Sequence, residues 1–131
     1  MSAGRFPYDA TLVPPAPVVP VRIAVPVGEE AVALSALVDT GADCTLVPEH
    51  IARRLRLPLV DRARIAGVTG EERSASVYAA RIEVTGFSIL TKVAALGGEA
   101  ILGRDLLNRW VATLDGPAGA VALRAGRKRR R

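Results

Sequence analysis

The sequence predicts an all-β domain, a sandwich or barrel of short strands with two short helices. Three observations carry this. Short apolar stretches rich in β-branched residues recur from Val18 onward, glycine-bearing turns separate them, and only two segments break the pattern. A length of 131 residues suits one compact domain and is short for two. With 50% hydrophobic and 24% charged residues the chain has globular rather than disordered composition. Aromatic side chains are scarce (two Phe, two Tyr, one Trp), so the core has to be built from Val, Leu, Ile and Ala.

Residues 1–17, with Phe6-Pro7-Tyr8 and Pro14-Pro15-Ala16-Pro17, read as an extended lead-in, because proline blocks both a helix and ladder donation. The domain proper is placed at 18–123. Strands are expected over Val18 to Val25, Val32 to Val38, Thr45 to Val47, Arg64 to Val68, Ser74 to Val84 and Phe87 to Leu96. Turns fall at Val27-Gly28-Glu29-Glu30, Thr69-Gly70-Glu71, Thr85-Gly86 and Gly97-Gly98. Between Tyr78 and Val84 the residues Tyr78, Ala80, Ile82 and Val84 share one face and Arg81 and Glu83 the other, the period of a half-buried strand. Pro48 to Leu55 breaks the pattern as a helix, with proline at its start, acid early and arginine late. Arg104 to Trp110 is the second helix, beginning after Gly103, and two last strands, Val111 to Leu114 and Ala120 to Leu123, flank an Asp115-Gly116-Pro117 turn.

The net charge of +5 belongs to the end of the chain. Arg124, Arg127, Lys128, Arg129, Arg130 and Arg131 hold six of the eighteen basic residues, leaving 12 basic against 13 acidic groups in residues 1–123. Residues 124–131 are therefore read as a solvated basic tail. No basic stripe interleaved with aromatics supports a nucleic-acid surface elsewhere, so nucleic acid is not expected as a partner. No apolar run approaches the roughly 20 residues of a membrane span, and the first residues lack the apolar core of a signal peptide. One cysteine, Cys44, and one histidine, His50, make neither an internal disulfide nor a soft-metal cluster. These features, with the free cysteine, point to the cytoplasm.

The chemistry concentrates at Ala36-Leu37-Val38-Asp39-Thr40-Gly41-Ala42-Asp43, where an apolar strand delivers a carboxylate into a tight turn. A carboxylate at the end of a buried strand is costly unless partners solvate it. Gly41 permits close approach of a ligand backbone, and the Thr40 hydroxyl is free to tie the loop to another segment. The plain alternative is an Asp that caps the turn through its own backbone. Further on, Glu99-Ala100-Ile101-Leu102-Gly103-Arg104-Asp105-Leu106-Leu107 runs two apolar residues and a glycine into a helix, and Ile65-Ala66-Gly67-Val68-Thr69-Gly70 forms a glycine-bearing hairpin between the two motifs.

In order and spacing, from Val18 to Leu114, these blocks resemble the retropepsin family, the single-domain aspartic proteases of retroviruses and their cellular and bacterial relatives. The resemblance implies a small closed β-barrel and a homodimer with its active site on the two-fold axis, each subunit donating one Asp-Thr-Gly loop. Length agrees, because a one-chain aspartic protease needs two such loops and this sequence has one. Two Asp39 carboxylates about 3 Å apart, at an effective dielectric near 20, repel by roughly 5 kcal/mol, some four pKa units, so the pair holds one shared proton. The implied reaction is hydrolysis of a peptide bond in an extended substrate. Water is activated by one Asp39 while the protonated mate polarises the scissile carbonyl, and the gem-diol then collapses with a proton delivered to the leaving amine; neither metal nor cofactor is required.

By the same resemblance Thr40 links the two loops across the dimer, Gly41 accepts substrate backbone and Ala42 keeps the cleft open. Asp43 forms an ion pair with Arg104 and lies near the substrate main chain. Gly103 and Arg104 support the loop, Leu46 and Ile101 are apolar walls of the substrate pockets, and Gly67, Val68, Thr69 and Gly70 form the flap tip. Asp105 is read as a helix N-terminal acid, His50 as a solvated helix residue, and Cys44 either as a pocket-lining group or as a small buried hydrophobe. Two departures stand out. The flap continues as Glu71-Glu72-Arg73, where retroviral flaps are richer in glycine and more apolar. Seventeen residues also follow Leu114, near which the retroviral chain ends with the strand that builds its dimer sheet, and they are read as folding back through Ala120 to Leu123. The leading expectation is an aspartic endopeptidase. The alternative is a peptide-binding or dimerisation module that keeps the fold with little or no catalysis.

Overall fold

A computed structural model of the chain describes residues 3–126. Of the basic tail, residues 127–131 lie outside the described residues, whereas Arg124 is an exposed part of the last strand. The described residues form ten strands: β1 (Gly4–Pro7), β2 (Val18–Ala24), β3 (Ala31–Val38), β4 (Leu46–Val47), β5 (Leu59–Ala66), β6 (Glu72–Val84), β7 (Phe87–Ala95), β8 (Ile101–Leu102), β9 (Trp110–Asp115) and β10 (Ala120–Ala125). Two helices, α1 (Glu49–Arg54) and α2 (Arg104–Leu107), follow β4 and β8.

Seven strands hydrogen-bond in the order β2-β3-β8-β4-β7-β6-β5. A further pairing of β2 with β6, Arg22 opposite Glu83 and Ile23 opposite Ile82, joins the sheet to itself. Six strands thus close into a barrel, while β5 stands outside the ring as the other arm of the long β5–β6 hairpin. Most of the ring is antiparallel, but β8 runs parallel to β3 and β4 runs parallel to β7. Pro20 is tolerated within β2 because it lies before the β6 pairing begins, where β2 has a neighbour on one side only.

Alternation drives the closure. Val19, Val21 and Ile23 of β2 and Ala80, Ile82 and Val84 of β6 turn inward and are essentially inaccessible, while Arg22 and Glu83 meet on the outside at 3.5 Å. In α1, Ile51 and Ala52 face the core, Pro48 precedes the first turn, Glu49 lies at its start and Arg53 and Arg54 at its end, as expected for a helix dipole. α2 is shorter than the expected Arg104 to Trp110, because Trp110 already begins β9. That indole packs edge-on against Phe87, ring centres 5.9 Å apart, and joins the end of the chain to the barrel.

The segment read as a lead-in supplies a strand. β1 pairs antiparallel with β10, and β10 with β9, giving a separate sheet of order β1-β10-β9. The residues after Leu114 fold back as β10 with Val121 and Leu123 fully buried. No described helix is long and apolar enough to cross a membrane.

Candidate active site

Asp39 stands at the open end of β3. The two strand-end amides before it and its own are all engaged. Leu37 N–H donates to the Ala100 carbonyl (2.9 Å), Val38 N–H to the Pro17 carbonyl (3.0 Å) and Asp39 N–H to the Leu102 carbonyl (3.1 Å). The half-buried Asp39 is therefore presented from a strand end clamped on both sides, by β8 and by the chain entering β2. Past it the chain turns: Asp39 Oδ1 accepts Gly41 N–H at 2.9 Å and the Asp39 carbonyl accepts Ala42 N–H at 3.2 Å. One carboxylate oxygen thus caps the loop through its own backbone, which fixes the side chain and leaves the other oxygen without a partner among the described residues. Thr40 and Gly41 are exposed and Ala42 is half-buried.

α2 braces this loop from behind. Arg104 N–H donates to the Ala42 carbonyl at 2.8 Å, and its guanidinium donates to the Thr40 carbonyl at 2.7 Å. The expected ion pair between Asp43 and Arg104 is not formed. Asp43 is exposed and the guanidinium is taken up by a backbone carbonyl, a charge-assisted bond that fixes the loop main chain directly.

A second brace escaped the sequence reading. Thr45 is buried and binds Asp105 twice, its N–H to one carboxylate oxygen (3.0 Å) and its hydroxyl to the other (2.8 Å), while the hydroxyl accepts Gly103 N–H at 3.2 Å. Asp105 also accepts Leu106 N–H, so it does sit at the start of a helix, but its larger work is to tie α2 to the strand leaving the Asp39 loop. Gly103 is required by contact: a Cβ there would lie 2.5 Å from the Cys44 carbonyl oxygen. The signal in the sequence was the Thr45 side chain in an otherwise apolar strand, a buried hydroxyl in need of partners.

Leu46 and Ile101 pair directly across β4 and β8, both half-buried, beside the loop. Gly67 to Gly70 lie at the exposed tip of the β5–β6 hairpin. Gly67 N–H donates to the Glu71 carbonyl (2.8 Å), Gly70 N–H to the Gly67 carbonyl (3.0 Å), and Gly70 takes the left-handed φ of +83° that the turn demands. The structure therefore gathers Asp39 to Asp43, Leu46, Ile101, Gly103 and Arg104 at one place. No hydrogen bond joins the hairpin tip to that place within the single chain, and the Val68 side chain is wholly exposed. Cys44 is half-buried, and burial, followed by the charges of Asp43 and Asp105, pushes its thiol up, away from thiolate chemistry. His50 is exposed on α1.

The family model described as "gag-polyprotein putative aspartyl protease" matches residues 25–109, which includes the Asp39 loop, the hairpin and α2. The chain belongs to this family. Its fold is the retropepsin-like barrel. It is similar to EIAV protease, solved with an inhibitor, at 28% identity and a TM-score of 0.55, over 71% of this chain and 86% of that one. A retropepsin-like aspartic protease from Rickettsia conorii shares the fold more fully, with a TM-score of 0.61 over 93% of this chain and 91% of that one at 19% identity. Simian foamy virus protease matches at 22% identity and a TM-score of 0.53, over 70% and 91% of the two chains. No curated protein sequence is significantly similar to this one.

Proposed function

We propose that the protein is an aspartic-type endopeptidase whose active site is completed when two copies set their Asp39 loops side by side. The observation that carries this reading is the arrangement of Asp39 itself. A strand end clamped on both sides presents the carboxylate, one oxygen is committed to Gly41 N–H, and the other is left for chemistry. A single chain contributes one such carboxylate and one wall of a cleft.

In the paired site one Asp39 is ionised and its mate protonated, since two adjacent carboxylates cannot both hold charge near neutral pH. The ionised group takes a proton from a water held between them as the oxygen attacks the scissile carbonyl. The protonated mate donates to the carbonyl oxygen, and the resulting gem-diol breaks its C–N bond as the amine leaves with a proton. The substrate is a peptide in extended form, with Leu46 and Ile101 offering apolar contact beside the reacting bond and Gly67 to Gly70 closing from above. Thr40 is the cross-dimer tie, and its exposed hydroxyl makes no hydrogen bond among the described residues. We place the protein in the cytoplasm on the strength of its free cysteine.

The test is digestion of an unbiased peptide mixture from about pH 3.5 to about pH 7.5, read by mass spectrometry, with Asp39→Asn in parallel. Cuts in the parent that vanish in the variant support the reading. A dimer by sedimentation that makes no cuts overturns it in favour of a peptide-binding module.

A further inference from the structure

Side chains alternate along β3, so Ala36 and Val38 turn to the core and are buried, while Leu37 and Asp39 share the opposite face. The ladder runs on through the end of the strand, because Leu37 N–H and Asp39 N–H bond the carbonyls of Ala100 and Leu102, on either side of Ile101. Residues paired across a sheet also share a face. Val18 lies opposite Leu37, Leu37 beside Ile101 and Ile101 opposite Leu46, so four half-buried apolar side chains form one row across β2, β3, β8 and β4. Along β3 this row is two residues, roughly 7 Å, from Asp39. Its Val18–Leu37 end opens into a cavity of about 260 Å³ whose walls include Asp9, Leu12, Leu34 and Glu99.

We propose that this cavity takes a lysine or arginine side chain of the peptide substrate, one or two residues from the scissile bond, and that Glu99 and Asp9 select it. The inference rests on the protease reading of Asp39 and gives that reading a substrate class. Position follows from the strand geometry, since an extended substrate advances as far in two residues as β3 does between Leu37 and Asp39. The paired site repeats by symmetry, so there are two such cavities and the basic residue is read on either side of the cut.

The chemistry of the walls selects the occupant. Leu12, Val18, Leu34 and Leu37 suit an aliphatic stem, and the two carboxylates suit a cation at its end, the combination that lysine and arginine carry. No Lys, Arg or His lines the cavity, and the ion pairs among the described residues, Arg22–Glu83 and Arg64–Glu72, involve neither acid. An acidic substrate side chain therefore meets like charge, and an apolar one covers carboxylates that it cannot solvate. Both acids are held in place. Asp9 and Ala16 exchange backbone hydrogen bonds of 2.8 and 3.2 Å, closing the loop that carries Leu12. The Thr11 hydroxyl (2.6 Å) and N–H (2.9 Å) both donate to Asp9 Oδ1, which holds this carboxyl below its ordinary range and leaves Oδ2 without a partner among the described residues. Glu99 directly precedes Ala100, whose carbonyl holds Leu37 N–H at 2.9 Å, so one residue ties it to the apolar row.

Cleavage of an unbiased peptide mixture by the full chain tests this. The cuts that Asp39→Asn abolishes should show lysine and arginine enriched within two residues of the scissile bond. In a peptide drawn from those cuts, norleucine in place of lysine keeps most of the stem and loses the ammonium, and should lower kcat/KM about tenfold. Glu99→Gln should shrink that ratio. Adding Asp9→Asn, which keeps an oxygen for both Thr11 donors, should bring it close to one. Glu99→Arg in the Asp9→Asn background should move the preference to aspartate and glutamate, a reversal that a merely structural role would not produce. Asp39-dependent cuts with no basic preference, or a preference that survives the double variant, overturn the proposal and keep the protease. If the parent cuts nothing, equilibrium binding of a labelled apolar peptide with a single lysine, and of its norleucine counterpart, decides. Tighter binding of the lysine peptide that the double variant loses keeps the cavity and removes the protease, whereas equal binding or none overturns both.

Discussion

Asp105 grips Thr45 with both carboxylate oxygens, at 3.0 Å to the backbone N–H and 2.8 Å to the hydroxyl, across sixty residues of sequence. Through this grip the start of α2 holds the strand that leaves the Asp39 loop. Asp105→Ala strands a buried N–H and a buried hydroxyl and is expected to cost about 2–3 kcal/mol of stability. Thr45→Val removes the hydroxyl, and with it the acceptor of Gly103 N–H, but keeps the Thr45 N–H bonded to Asp105, and is expected to cost about 1–2 kcal/mol. Urea unfolding of both and of the double variant should show a coupling near 1 kcal/mol. Strict additivity would mean that the two side chains do not act on each other.

Gly103 faces the Cys44 backbone so closely that a methyl group would sit 2.5 Å from the carbonyl oxygen and 2.6 Å from the carbonyl carbon. Backbone cannot swing aside as the end of a side chain can. Gly103→Ala should therefore destabilise by about 3 kcal/mol, the upper range for overpacking, and should lower peptidase activity by shifting the loop. Gly98→Ala, where a Cβ meets nothing within 4 Å, is the control and should be nearly neutral in the same thermal melt.

Arg104 and Asp43 are expected to behave independently. The guanidinium bonds the Thr40 carbonyl at 2.7 Å and no ion pair links it to Asp43. Arg104→Ala should lower activity and cost about 1–2 kcal/mol of stability, whereas Asp43→Asn should change stability by less than about 0.5 kcal/mol. Equal losses from the two variants, with strong coupling in the double, would restore the ion pair that the sequence suggested.

Asp43 has a different measurable neighbour. Burial raises the Cys44 thiol, and the charges of Asp43 and Asp105 add to it. A raised thiol pKa means less thiolate at a given pH, so alkylation by iodoacetamide at about pH 8 should be slower than for an unstructured cysteine. Asp43→Asn removes one of the negative charges that disfavour thiolate, and the rate should rise. An alkylation rate in the folded parent equal to that in denaturant would contradict this.

The barrel was legible in the sequence wherever a strand was long enough to show a period. Tyr78 to Val84 announces its two faces, and in the structure Ala80, Ile82 and Val84 are buried as that pattern requires. Ile101–Leu102 has only two residues, so no period exists to read, yet this strand supplies the carbonyl that holds Asp39. Gly4–Pro7 reads as extended within a proline-rich segment, but nothing local says that β10 lies beside it. The Asp39 loop was legible because its chemistry is contained in consecutive residues. Its braces were not, because a contact such as Thr45 to Asp105 is made by the closing of the barrel and leaves no trace in spacing. Sequence marks Arg104 as a brace but points it at Asp43 rather than at the Thr40 carbonyl, since opposite charges suggest one another whereas a backbone carbonyl is invisible in a sequence.

Asp39→Asn separates structure from catalysis and also counts the carboxylates in the site. Asparagine keeps an oxygen in place to accept Gly41 N–H, the bond of 2.9 Å that shapes the loop, so the melting temperature should be nearly unchanged. Hydrolysis should fall by at least about a hundredfold, the loss of a general base. Mixing gives the sharper result. If each site takes one Asp39 from each copy and subunits exchange freely, an equal mixture of parent and variant has about a quarter of its dimers with both carboxylates. Activity at fixed total protein should then drop to about one quarter of the parent value. Independent one-chain sites would retain about one half, so steady-state cleavage across a series of mixing ratios, quadratic or linear in the parent fraction, decides between a shared and a private active site.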